Sequence, residues 1–268
     1  MNFSKTIFVL FAFNFIIINE IYSQDISSID EKLKVFNTSK YSLARDTVNN
    51  RKGEAFKILI IGNSITYHYA SDSSGWNHNS GMAASNIKND FAHLLFEKTE
   101  KLLPKRKIAM RVINLTVFER NFSTYNFKSL DKFVNRPDLI IFQLGENVVF
   151  NKINTQQKFE DKYVDLIKYI KKGKHPIVIC TTPFFPSLEK NNSINRVALR
   201  SNSYVADLSQ LTLLNRQNYA INEVGYPKVR DKWRVSGIGL HPGNLGMANI
   251  AQQIFVIINA AIAAKEIN

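Results

Sequence analysis

The chain has 268 residues and a formal net charge of +13, from 35 Lys and Arg against 22 Asp and Glu. Because 45% of the residues are hydrophobic and 12% are aromatic, a generally disordered chain is excluded. The single cysteine, Cys180, excludes an internal disulfide framework and a cysteine-rich metal site. The positive charge, taken alone, would suit an anionic partner such as nucleic acid, a membrane surface or an acidic polysaccharide.

Residues 1–24 have the pattern of a secretory signal peptide. Lys5 precedes an apolar run over 7–18, which is shorter than the ~20 residues that a membrane-spanning helix needs. Ser23 is a small residue of the kind that signal peptidase accepts. We therefore predict cleavage after residue 23 or 24 and a secreted or periplasmic location. An uncleaved membrane anchor is the alternative.

After a polar leader over 25–54, strand-like and helix-like patterns alternate along the chain. Nearly continuous apolar runs are typical of strands buried on both faces of a parallel sheet, and they occur at 56–61, 108–117, 139–144 and 177–181. Apolar residues at helical spacing predict helices at 90–103, 156–171, 194–214 and 245–264. This alternation predicts one doubly wound, mostly parallel α/β domain over 55–268.

Residues that follow the predicted strands are the candidates for chemistry, because ligands bind beyond the carboxyl ends of such strands. Ser64 follows the first strand, Asn147 follows the third, and His241 precedes the last helix. Serine is a weak nucleophile until a base such as imidazole takes its proton, and the oxyanion that then forms needs N–H donors. We therefore expect Ser64 to be the nucleophile and His241 the base. Asn147 and the backbone N–H of Ser64 would be oxyanion donors.

Three short blocks resemble those of the SGNH (GDSL) hydrolases. Gly62-Asn63-Ser64-Ile65-Thr66 resembles the nucleophile block, Gly145-Glu146-Asn147 the Gly-x-Asn block, and His241-Pro242 the histidine block. Their order and spacing agree over residues 56–262. The resemblance implies a flavodoxin-like three-layer α/β/α sandwich and ester hydrolysis without a metal or organic cofactor. Two further segments look like a branch of secreted bacterial members associated with polysaccharide breakdown: 75–85 and 118–121.

The chain departs from the family pattern in three places. Asn63 stands where the family has Asp, which is a tolerated variant. The second block lacks its glycine, so its oxyanion donor would be the amide near Val117. The triad aspartate usually lies three residues before the histidine, and that position is Ile238. We therefore predict a Ser–His dyad whose imidazole is oriented by a backbone carbonyl. The alternative orienting groups are carboxylates from elsewhere in the chain: Asp231, Glu223 and Glu119.

Other residues have either a substrate-binding or a structural interpretation. Glu119 and Arg120 follow the second strand and would position substrate or form a surface ion pair. Four aromatic residues would line a sugar-stacking wall or belong to the core: Trp76, Trp233, Phe184 and Phe185. The spacing of the histidines is not that of metal ligands, so no metal site is predicted.

These observations predict a secreted serine esterase of the SGNH type, a carbohydrate esterase that removes O-acyl groups, above all O-acetyl. The carbohydrate substrate follows from the resemblance alone, and the positive charge would suit an acidic polysaccharide. An esterase for lipid or small-molecule esters and a non-catalytic glycan-binding protein are the alternatives. The basic clusters at 105–107 and 171–174 lack interleaved aromatics and a DNA-reading motif, so nucleic acid is not the expected partner. We also expect no stable membrane insertion after signal cleavage.

Overall fold

A six-stranded sheet forms the centre of the computed structural model, which describes residues 44–71, 75–150, 154–173, 175–224 and 237–267. The strands are β1 Ala44–Val48, β2 Ala55–Gly62, β3 Lys107–Asn114, β4 Leu139–Gln143, β5 Ile177–Thr181 and β6 Tyr204–Ala206. Their order is β1-β3-β2-β4-β5-β6, and every neighbouring pair is parallel except β1 with β3. The chain reverses its direction across the sheet at β2, so the crevice that binds ligands in such sheets lies at the carboxyl end of that strand.

The sheet separates two apolar clusters, because side chains alternate between the faces of a strand. In β2, Ile58 and Ile60 belong to one cluster, whereas Leu59 and Ile61 belong to the other. All five residues of β4 and all five of β5 are buried. This pattern confirms the prediction of strands covered on both faces.

Helices cover both faces of the sheet and complete three layers. They are α1 Phe91–Leu102, α2 Thr116–Asn121, α3 Thr155–Lys171, α4 Leu188–Ser201, α5 Leu211–Leu214 and α6 Asn244–Ile267. Residues of α1 and α6 pack in one cluster, and residues of α3 and α4 pack in the other. By length and composition α6 could cross a membrane, but Ile250, Ile254 and Ile258 are fully buried in the core. The predicted three-layer α/β/α sandwich is therefore confirmed.

Two predicted elements have different bounds in the structure. The strand predicted at 108–117 ends at Asn114, whose side-chain oxygen accepts the N–H of Thr116 at 3.0 Å, so Val117 lies in α2. The helix predicted at 194–214 ends at Ser201, because Asn202 adopts a left-handed conformation with φ 51°. The strand β6 and the short helix α5 follow. Because β6 has only three residues, it does not visibly interrupt the helical spacing of apolar residues in the sequence.

The sheet begins earlier in the chain than the sequence pattern indicates. Strand β1 lies within the predicted polar leader over 25–54 and pairs antiparallel with β3. An edge strand is covered on fewer sides, so it has no apolar run to mark it. Its Asp46 receives two hydrogen bonds of 2.6 Å from Arg111 on β3. The predicted signal peptide, Asp231 and Trp233 all lie outside the described residues.

Candidate active site

A tight turn after β2 places Ser64 at the carboxyl end of the central strand. The carbonyl of Asn63 accepts the N–H of Thr66 at 3.0 Å, and the Asn63 side-chain oxygen accepts the N–H of Ile65 at 3.0 Å. A Cβ atom on Gly62 would overlap the hydroxyl of Thr66, so this close turn requires glycine. Ser64 itself is half-buried.

The imidazole of His241 lies against the hydroxyl of Ser64. His241 Nε2 is 2.9 Å from Ser64 Oγ, and Nδ1 is 3.3 Å from the carbonyl oxygen of Gly237. A carbonyl can only accept, so Nδ1 carries the proton and Nε2 offers its lone pair to the serine hydroxyl. Burial lowers the pKa of His241 to about 4, despite the opposing effect of the Gly237 carbonyl. The imidazole is therefore neutral at pH 7, as a general base must be.

Ile238 stands where the SGNH sequence pattern has an aspartate, and its surroundings are apolar. It begins the 3₁₀ turn Ile238–Leu240 that leads to His241, and it is 1% exposed. It belongs to a small apolar cluster with four other residues: Trp76, Met82, Ala83 and Ala220. Trp76 is fully buried there, which favours its core interpretation over a contact with substrate.

The carboxylates considered as alternative orienting groups have other partners where the structure describes them. Glu223 accepts the backbone N–H groups of Asn244 and Leu245, both at 2.8 Å, and so caps the first turn of α6. Glu119 binds the loops after β2 and β4. Within the described residues, the acceptor for the second imidazole nitrogen is the Gly237 carbonyl.

The three residues expected to donate to an oxyanion follow three adjacent strands. Ser64 follows β2, Asn147 follows β4, and Val117 lies in the first turn of α2, directly after β3. Backbone N–H groups in the first turn of a helix lack acceptors within that helix, so they are available to a ligand. Asn147 is half-buried, and its side-chain nitrogen donates one hydrogen bond of 2.7 Å to Glu119.

Glu119 joins the nucleophile turn to the loop that carries Asn147. It is 1% exposed, and its carboxylate accepts the Gly145 N–H at 2.5 Å and the Asn63 side-chain amide at 3.3 Å. Burial raises the pKa of Glu119, and its hydrogen bonds to Asn147, Gly145 and Asn63 oppose this effect. Glu119 therefore contacts these two loops and not the imidazole.

A second carboxyl group, the half-buried Glu146, was missed by sequence reasoning. It accepts the backbone N–H of Phe184 at 2.5 Å, that of Phe185 at 3.3 Å, and the side-chain amide of Gln143 at 3.2 Å. Burial and, less strongly, the charge of Glu119 raise its pKa to about 8. Its only signal in the sequence is its position between Gly145 and Asn147 in the Gly-x-Asn block.

An aromatic pair borders the imidazole. The ring of Phe185 is 6.0 Å from that of His241 and perpendicular to it, and Tyr219 stacks on Phe185 at 6.4 Å. Phe185 and Tyr219 are half-buried, whereas Phe184 is fully buried and belongs to the core. Sequence reasoning named Phe185 but missed Tyr219, which lies in a segment without a motif.

Arg120 lies on the exposed side of α2. Burial lowers the pKa of the half-buried His68, and the charge of Arg120 adds to this shift. The charge of His68 in turn contributes to the low pKa of His241, after burial. In the described part of the chain, no group of three or more His, Cys, Asp or Glu residues could hold a metal ion.

No protein-family model and no curated protein matches the sequence. Among solved structures, the chain is similar to a family two carbohydrate esterase from Clostridium thermocellum in complex with cellohexaose. The TM-score is 0.50 and the identity 14%, over 79% of this chain and 66% of that one. It is also similar to the protein YxiM from Bacillus subtilis, with a TM-score of 0.42 and 17% identity, over 75% of this chain and 55% of that one. The chain thus spans less than two thirds of either structure. At 14% identity the similarity to the carbohydrate esterase concerns the fold alone, and the six-stranded, mostly parallel sheet between two helical layers is consistent with an SGNH-hydrolase fold.

Proposed function

We propose that the protein is a secreted serine esterase that hydrolyses O-acyl esters, above all O-acetyl esters, on carbohydrate. The observation that carries this proposal is the 2.9 Å contact between Ser64 Oγ and His241 Nε2, with Nδ1 directed at a carbonyl. A serine hydroxyl beside a neutral, oriented imidazole is the arrangement that activates a nucleophile.

Acylation begins when Ser64 Oγ attacks the ester carbonyl carbon and its proton passes to His241 Nε2. The negative charge on the carbonyl oxygen is then stabilised by the N–H groups of Ser64, Val117 and Asn147. As the carbon–oxygen bond to the alcohol breaks, Nε2 returns its proton to the leaving oxygen. A water molecule then gives a proton to the same nitrogen and attacks the acyl carbon. As the bond to Ser64 Oγ breaks, Nε2 returns this proton to Oγ and the acid is released.

The Gly237 carbonyl takes the place of the aspartate in this mechanism. A triad aspartate orients the imidazole and stabilises the imidazolium that forms during the reaction. A carbonyl accepts the same N–H bond but has no full charge, so it supplies the orientation with less stabilisation of the cation. The low pKa of His241, set chiefly by its burial, fits this weaker support.

The carbohydrate part of the proposal is supported by the aromatic pair beside the base. Because Nε2 protonates the leaving alcohol, the alcohol part of the substrate lies next to His241 and therefore next to Phe185 and Tyr219. Aromatic side chains combine a large apolar surface with a defined geometry, which suits the flat face of a sugar ring. The similarity to a carbohydrate esterase bound to cellohexaose agrees with this substrate class. The net charge of +13 would favour an acidic polysaccharide.

Hydrolysis assays on the purified protein test this function. We expect release of acetate from acetylated polysaccharide and of nitrophenol from 4-nitrophenyl acetate. Ser64→Ala should lose nearly all turnover, whereas Ser129→Ala, in the 3₁₀ turn Phe127–Leu130, should keep it. A fluorophosphonate probe should label Ser64 in the wild-type protein. Equal turnover by wild-type and Ser64→Ala proteins would overturn the proposal, and glycan binding without turnover would favour a binding protein instead.

A further inference from the structure

The carboxylate of Glu119 accepts four hydrogen bonds from N–H groups in the loops that form the candidate site. Its Oε1 accepts from the backbone N–H of Gly145 at 2.5 Å, the side chain of Asn63 at 3.3 Å and the backbone N–H of Asn147 at 3.5 Å. Its Oε2 accepts from the side chain of Asn147 at 2.7 Å. These donors come from the turn after β2 and the loop after β4, while Glu119 itself lies in α2 after β3.

A carboxylate in this position is costly unless these bonds are made. Glu119 is 1% exposed, and a buried carboxylate without partners is strongly unfavourable. Its hydrogen-bond partners among the described residues are amide N–H groups, which belong to the nucleophile turn and to the Gly-x-Asn block. The cost is therefore recovered only when both loops have the arrangement seen here.

We infer that Glu119 is a positioning residue that sets the orientation of the Asn147 carboxamide and holds it in register with Ser64. Asn147 Nδ2 carries two hydrogens, and its bond to Glu119 uses one of them. The opposite orientation of the carboxamide would place its oxygen against the carboxylate oxygen of Glu119. The negative charge of Glu119 therefore favours the orientation in which the NH₂ group of Asn147 faces the carboxylate. The second N–H then points in a defined direction. Glu119 thus acts through Asn147 and does not touch the substrate.

The consequence rests on the proposed esterase function. An oxyanion donor works only when it lies 2.7–3.1 Å from the position of the developing charge. A donor on a freely rotating carboxamide would satisfy this distance for only part of the time. Since the donor is needed in the transition state more than in the ground state, loss of Glu119 should lower kcat more than it changes KM.

The variant Glu119→Gln tests the inference. It keeps the shape of the side chain, but it places an NH₂ group against the N–H donors of one of the two carboxylate oxygens. We expect kcat on 4-nitrophenyl acetate to fall by about 10²–10³-fold, as on loss of an oxyanion donor. KM should stay within about threefold of the wild-type value. Glu160→Gln is the matched control, because Glu160 is 2% exposed and pairs with Arg196 between α3 and α4. It should keep the wild-type kcat.

A double-mutant cycle separates positioning from a general structural role. If Glu119 acts through Asn147, the double variant Glu119→Gln/Asn147→Ala should have a kcat within about threefold of Asn147→Ala alone. Additive losses, or a wild-type kcat in Glu119→Gln, would overturn the inference. Ser64→Ala is measured in parallel: if it keeps activity, the esterase function itself fails, and if it is inactive, the result for Glu119 stands by itself.

The wild-type protein provides a test that does not depend on the variant folding. The two side-chain amide protons of any asparagine give separate NMR signals, because rotation about the C–N bond is slow. In the wild-type protein one of the two signals of Asn147 should be shifted downfield, relative to a solvent-exposed asparagine, by its hydrogen bond to the carboxylate. Both signals at the positions of a solvent-exposed asparagine would contradict a carboxamide held by Glu119, whatever the variants show.

Discussion

Replacing Ile238 with aspartate introduces the residue type that the SGNH sequence pattern has at this position, and we expect it to destabilise the protein. The side chain of Ile238 is buried in an apolar cluster and is 1% exposed. Removing a buried isoleucine side chain costs about 2–5 kcal/mol, and burying an unpaired polar group adds about 1–3 kcal/mol. The sum is a large part of the ~5–15 kcal/mol that typically stabilises a domain.

Chemical denaturation measures this loss as the free energy of unfolding. Ile238→Val should cost only about 0.5–1.5 kcal/mol. Ile238→Asn, which has the shape of aspartate without its charge, separates the charge from the cavity. Burial would raise the pKa of an aspartate above its unfolded value of about 3.9, so the folded state would bind more protons than the unfolded state. The gap between the Asp and Asn variants should therefore widen as the pH rises from 4 to 7.

One result would refute this reasoning. If Ile238→Asp kept wild-type stability and raised kcat/KM, the introduced carboxylate would have reached His241 Nδ1 in place of the Gly237 carbonyl. The acid limb of the pH profile would then move upward, because a carboxylate raises the pKa of a neighbouring imidazole. Such a result would mean that the surroundings of residue 238 leave room for a triad.

Three other predictions concern the base His241, the carboxyl group of Glu146 and the aromatic pair Phe185 and Tyr219. The pKa of His241 near 4 predicts that kcat/KM falls only below about pH 4–5, and an acid limb at the ordinary value of about 6.5 would contradict it. Glu146, with a pKa of about 8, should lose its stabilising contribution as the pH rises from 4.5 through 8. The free energy of unfolding of the wild-type protein should therefore fall over this pH range relative to that of Glu146→Gln, and parallel pH dependences for the two proteins would contradict the prediction. Phe185→Ala and Tyr219→Ala should raise KM for acetylated oligosaccharide about 3–10-fold and change KM for 4-nitrophenyl acetate less, and equal effects on both substrates would remove the stacking role.

The sequence alone was sufficient for the architecture of the sheet's interior. Continuous apolar runs such as 139–144 occur where both faces of a strand are covered, and this requirement is local enough to be seen in a short window. The sequence did not indicate strands that are not covered on both faces or are very short. Strand β1 lies at an edge, and β6 has only three residues, so neither needs an apolar run.

Some residues of the candidate site are indicated by the sequence, whereas others are shown only by the tertiary structure. Ser64 and Asn147 follow from short blocks at strand ends, because a turn after a buried strand has a local signature in glycine and polar residues. His241 follows from a short block before the last helix. The acceptor for the imidazole has no such signature, since any residue can supply a carbonyl. Only the tertiary structure shows that the carbonyl of Gly237 is this acceptor and that the side chain of Ile238 packs in an apolar cluster.

The carboxyl groups of Glu119, which is buried, and Glu146, which is half-buried, show most clearly what tertiary structure decides. In the sequence, Glu119 is marked only by its position after the second predicted strand and Glu146 only by its position in the Gly-x-Asn block, and neither signal identifies a binding partner. Their partners include the Asn63 side chain for Glu119, 56 positions away, and the N–H of Phe184 for Glu146, 38 positions away. Sequence patterns report which side chains avoid water, but the cost of burying a charge is met by donors from distant loops. Those donors meet the charge only when the chain folds.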